Sequence, residues 1–141
     1  DLTIIDSDNI CLYLDSISKK ETLFPKKSYW KIMSMTSIAN GLMESVLERR
    51  MESIRPDNEK SKNFINKQEI RIIKTINWLE NNWDNYDDSY LTMDQITIAC
   101  ALDYTMFRFN DKWKTDNPKL NKWFGDFVKK DFMKSTTPHE K

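Results

Sequence analysis

Residues that break secondary structure are scarce in this chain. Of 141 residues only two are glycine, Gly41 and Gly125, and four are proline. Glycine and proline are the strongest local punctuators of structure, so so few of them constrain the chain toward long, uninterrupted helices. The same scarcity leaves no material for a glycine-rich phosphate loop. The single histidine, His139, lies in a polar tail, which gives no basis for a histidine-based metal site or catalytic triad.

Charge excludes further classes. The 22 basic and 22 acidic residues balance, so no global field draws in nucleic acid or an anionic membrane. No apolar run reaches the length of a membrane span. Cys11 and Cys100 each sit in an apolar, helix-like run and read as small buried hydrophobes. Two cysteines are too few for a disulfide framework, which fits a cytosolic compartment. The length suits one domain. The chain opens on Asp1 with no signal-peptide pattern, and a fragment of a longer protein is the expectation.

Periodicity divides the chain. Residues 2–5, Leu-Thr-Ile-Ile, form a short β-type run. Asp6-Ser7-Asp8-Asn9 is a cluster of helix-capping residues, and Ile10, Leu14 and Ile17 follow at spacings of four and three, a helical face. The opening therefore reads strand, tight turn, helix. Residues 19–27 are a polar connector. Residues 28–53 keep a helical stripe of Ile32, Met35, Ala39, Leu42, Met43 and Val46; residues 61–83 keep another of Ile65, Ile72, Ile76, Leu79 and Trp83. These two long helices are expected to pack antiparallel. An acidic loop at 84–90 leads to Ile96-Thr97-Ile98-Ala99-Cys100-Ala101-Leu102, which has almost no polar face and predicts a buried helix. Thr92 with Gln95 three residues later predicts a capping box at its start. Residues 108–117 read as a polar loop. Pro118 opens a last helix at the position that favours proline, with Leu120, Trp123, Phe124, Phe127 and Val128 along one face, and a disordered tail is expected from residue 135. By periodicity alone, the chain is a helical domain built around one buried helix.

Four local patterns go further. Asp6-Ser7-Asp8-Asn9-Ile10-Cys11-Leu12-Tyr13-Leu14 resembles the point where glutathione transferases leave the last strand of their thioredoxin-like domain and enter its third helix. Leu91-Thr92-Met93-Asp94-Gln95-Ile96-Thr97-Ile98-Ala99-Cys100-Ala101-Leu102 resembles the capped central helix of their helical domain. Asn117-Pro118-Lys119-Leu120-Asn121-Lys122-Trp123 is similar to the start of a late helix in that domain, and Ala39-Asn40-Gly41-Leu42-Met43-Glu44 is similar to an Ala-Asp-Gly pattern of bacterial members. Gln95 and Asn40 stand where the family more often has Asp.

The resemblance implies a mainly α fold: a βα remnant of a thioredoxin-like domain at 1–20, a linker at 21–27, the all-helical C-terminal domain at 28–134 and a tail at 135–141. It implies conjugation of glutathione to hydrophobic electrophiles by a cytosolic homodimer involved in detoxification, with no metal. The family's first βαβ unit, with the residue that activates the glutathione thiol, has no counterpart here, so this segment is expected to be inactive alone. The alternative is a non-catalytic docking module in a protein complex. Carried over residue by residue, Ser7 matches the serine that binds the γ-glutamyl carboxylate, Asp6 the acceptor for the γ-glutamyl ammonium, and Glu44 a carboxylate that in some classes reaches the glutathione of the other subunit. Tyr29, Trp30 and Met33, at the start of the first long helix, are candidates for the hydrophobic substrate pocket. Each also has a plain structural reading: Ser7 as a cap of its own helix, Asp6 and Glu44 as solvated carboxylates, the three apolar residues as packing. Arg108 is expected to pair with a loop carboxylate or with the carbonyls that end the buried helix.

Overall fold

The computed structural model describes residues 3–86 and 89–137. Seven α-helices follow one another: α1 (Ser7–Ile17), α2 (Tyr29–Ser53), α3 (Lys62–Asn81), α4 (Met93–Arg108), α5 (Trp113–Asp116), α6 (Pro118–Phe127) and α7 (Asp131–Lys134), with 3₁₀ turns at Lys26–Ser28 and Trp83–Asn85. None of the helices among the described residues is long and apolar enough to cross a membrane.

The long helices run as their apolar stripes predict, and α2 and α3 are antiparallel. Arg49 Nε donates to Glu69 at 2.8 Å, and Glu48 faces Gln68 and Arg71. Near the other end Gly41 shares a shallow cleft with Lys74 and Thr75. The core is where α2, α3, α4 and α6 meet: Ala39, Leu42 and Val46, Ile72, Ile76 and Leu79, Ile98, Ala99 and Leu102, and Leu120 are all at most 1% exposed. Each large aliphatic side chain buried in this way contributes roughly 1.5–3 kcal/mol. Beside it stands an aromatic stack, with Trp83 4.3 Å from Tyr86 and 4.8 Å from Trp123 between ring centroids, and Trp123 4.9 Å from Phe127.

Several expectations are corrected. The opening strand is not formed: residues 3–5 have no regular structure, because a strand needs a paired neighbour and the described residues offer none. The Ile10, Leu14, Ile17 stripe exists on α1, but it is 40–59% exposed and no residue of α1 is buried. The α4 helix is central but not buried all round. Cys100 is exposed and Cys11 only half-buried, so neither is the core hydrophobe that its apolar surroundings implied. The predicted polar loop at 108–117 contains α5, whose Trp113 is buried against Phe124. Residues 135–137 form a turn in which the Ser135 and Thr136 hydroxyls donate to the Phe132 carbonyl. The remainder of the tail, with His139, and part of the acidic loop lie outside the described residues.

The capping box is also replaced. Thr92 is the N-cap of α4, but its side chain makes no capping hydrogen bond. Gln95 donates instead to the Tyr90 carbonyl at 2.9 Å, and the first amide of the helix, Met93 N–H, donates to the Leu23 carbonyl in the linker at 3.1 Å. A helix start needs partners for its orphan amides, but does not dictate that they be local.

Candidate functional site

The matched signature folds into the start of α1. Asp6 is the N-cap; one of its carboxylate oxygens accepts from Asp8 N–H at 3.0 Å, and its carbonyl accepts from Ile10 N–H at 2.9 Å. Its backbone is unusual, at φ 79° and ψ 132°, the one non-glycine residue at positive φ among those described. A side chain at Cβ makes that conformation costly, of order 1–3 kcal/mol, and such strain concentrates at binding and catalytic positions. Ser7 and Asn9, the first and third residues of α1, are exposed. Among the described residues the Ser7 hydroxyl, the Ser7 amide and the Asn9 amide have no hydrogen-bond partner. Asn9 uses its side chain elsewhere, donating to the Ile5 carbonyl at 3.2 Å. Exposed donors at the positive end of a helix dipole form a surface suited to an anion.

The structure joins this helix start to α2 through one contact that the sequence reading missed. Asn40 Nδ2 donates to both carboxylate oxygens of Asp8, each at 3.0 Å. Met33, Asn40 and Glu44 are seven and four residues apart, hence on one face of α2. Contact at Asn40 therefore turns that face toward α1, with exposed Glu44 one turn beyond it and half-buried Met33 two turns before. Tyr29 lies one turn further back, half-buried, its ring 6.4 Å from buried Phe24. Trp30 is 80% exposed and edge-on to Tyr29 at 5.2 Å. Arg108 is at the other end of α4, its guanidinium 3.9 Å above the Phe107 ring.

Asp15, at the far end of α1, fastens the linker, accepting from Thr22 Oγ1 at 2.6 Å and Leu23 N–H at 2.7 Å. The carbonyl of Leu23 then meets α4 as described above, so α1, linker and α4 form a continuous polar chain. Burial, with Asp8 second, pushes the Cys11 thiol up, and surrounding chain with Asp103 does the same for Cys100; neither thiol is poised as a thiolate nucleophile. Among the described residues no group of three or more His, Cys, Asp or Glu is arranged to hold a metal ion.

Solved structures resolve what this helical arrangement is. A glutathione transferase family member from Pseudomonas fluorescens Pf-5 superposes with a TM-score of 0.91 at 26% identity, over 97% of this chain and 72% of its own. The chain has the glutathione transferase family fold. That protein was crystallised with S-(propanoic acid)-glutathione bound, and in a second structure, equally similar to this chain, with glutathione. A glutathione S-transferase from Methylobacillus flagellatus KT, with glutathione bound, superposes with a TM-score of 0.90 at 21% identity over 96% of this chain and 70% of its own; at that identity the likeness concerns the fold. No family model and no curated protein matches the sequence.

Proposed function

We propose that this chain binds glutathione at the start of α1 and is the helical portion of a glutathione-conjugating transferase. In this reading the Ser7 hydroxyl with the Ser7 and Asn9 amides takes the γ-glutamyl carboxylate. Asp6, whose second carboxylate oxygen is uncommitted, takes the ammonium, because an ammonium needs an acceptor. Glu44 stands on the adjoining face of α2, available to a glutathione on a second subunit, and Tyr29, Trp30 and Met33 offer apolar surface to a hydrophobic electrophile. The full-length form is a cytosolic homodimer in which a thioredoxin-like half supplies the thiol-activating residue, since conjugation needs a thiolate. Residues 1–20 belong to that half and 28–134 to the helical domain. The observation that carries the reading is the strained Asp6 backbone directly before an exposed Ser7 with unpartnered donors; strain is retained where a site needs it.

Calorimetric titration of glutathione tests it. Saturable binding is expected, weakened about tenfold or more in Ser7→Ala, the scale of one hydrogen bond to a charged group. A chain that takes up no glutathione, or a Ser7→Ala variant of unchanged affinity, overturns the assignment. The same preparation is expected not to conjugate chlorodinitrobenzene above the uncatalysed rate. Turnover saturable in glutathione would show that the activating group lies within these residues.

A further inference from the structure

An aspartate in the first turn of a helix normally turns toward that helix's own amides and positive dipole end. Asp8, the second residue of α1, does not: both of its oxygens accept from Asn40 Nδ2 on α2, and both residues are half-buried. Its backbone amide is occupied by Asp6, while the amides of Ser7 and Asn9 on either side stay unpartnered among the described residues. A carboxylate released at this position would seek those two donors, as would an incoming carboxylate. We propose that Asn40 is a positioning residue that holds the Asp8 carboxylate off the start of α1 and so keeps the Ser7 and Asn9 amides open to an anionic ligand group. This rests on the glutathione reading for the identity of that group.

The chemistry of the holder suits the task. A neutral amide fixes the carboxylate by hydrogen bonding without cancelling its charge, whereas an arginine or lysine at 40 would add a competing anion site of its own. The charge of Asp8 is felt locally: with burial it helps to push up the thiol of Cys11, one turn along α1.

The test separates holding from scaffolding. Asn40→Ala keeps a good helix former in α2 and frees Asp8; Asn40→Ala with Asp8→Ala removes the competitor as well. In ¹⁵N–¹H spectra of the whole chain, the Ser7 and Asn9 amide resonances are expected to move in Asn40→Ala and to return toward their wild-type positions in the double variant. Affinity for glutathione is expected to fall about three- to tenfold in Asn40→Ala, the scale of one charge at a helix start, and to recover in the double variant. Unmoved amides in Asn40→Ala, or a double variant as weak as the single one, overturn the proposal, because a mere tether between α1 and α2 is not rescued by deleting both partners. If the wild type takes up no glutathione, the glutathione reading falls, and the amide resonances still decide what Asn40 does.

Discussion

Glu80 and Thr92 show how far a residue's role depends on what folds against it. Glu80 lies on α3 and reads from sequence as one more charged position of an amphipathic helix. In the structure it is 9% exposed and accepts from Lys119 N–H at 3.1 Å and Leu120 N–H at 2.8 Å, capping α6 from another helix. Glu80→Ala would leave both amides without that partner, the Leu120 amide buried, at about 1–3 kcal/mol. Thr92 is the converse case. Its place before α4 is that of a capping residue, yet its hydroxyl makes no capping bond and the Leu23 carbonyl accepts from the first amide. Thr92→Ala is therefore expected to cost less than the ~1 kcal/mol of an ordinary lost cap, and Glu80→Ala clearly more. Urea titration of the two variants decides; the reverse order would mean that the local cap outweighs the remote one.

At the scale of elements, α4 organises the bundle by being thin where it is crowded. Ala99 and Ala101 are fully buried, as are Ile98 and Leu102 around them, and small side chains allow α2 and α6 to close on the helix. The edge with Cys100 stays open. The apolar run predicted burial on every side, because a sequence window records hydrophobicity and not which side a neighbour covers. Ala99→Leu is expected to overpack the centre and destabilise by about 1–3 kcal/mol, whereas Cys100→Ser on the open edge is expected to stay within about 0.5 kcal/mol. Equal urea midpoints for these two would show that the faces of α4 have been assigned wrongly.

Across the whole molecule, two grades of stability are built in. The bundle of α2 to α6 shares a contiguous apolar core, while α1 buries no residue and is held by polar contacts: Asp8 with Asn40 at one end, Asp15 with Thr22 and Leu23 at the other. Segments with few buried apolar contacts open well below the global unfolding free energy. Native-state hydrogen exchange is thus expected to show the amides of α1 exchanging through a local opening, insensitive to Ala99→Leu, and those of α4 only through global unfolding. Equal protection of α1 and α4 would refute this division. The helix expected to open most easily is also the one that begins at Asp6 and Ser7, so whatever orders α1 is expected to govern the candidate site.

The positions of α1 to α4 and α6, the two long antiparallel partners and the central place of α4 were legible in the sequence, since three/four periodicity reflects which face must leave water and scarce glycine and proline left few places to break. The helix start at Asp6 and Ser7 was legible as well, because a capping cluster before an apolar stripe is a local signal. What only the tertiary structure decided were pairings between residues far apart in the chain: Asn40 with Asp8, Glu80 with the start of α6, Leu23 with the start of α4. Hydrogen bonds to orphan amides and carboxylates must be made somewhere, but no periodicity states with which partner; that is set when the apolar faces have docked and brought distant polar groups within about 3 Å of each other.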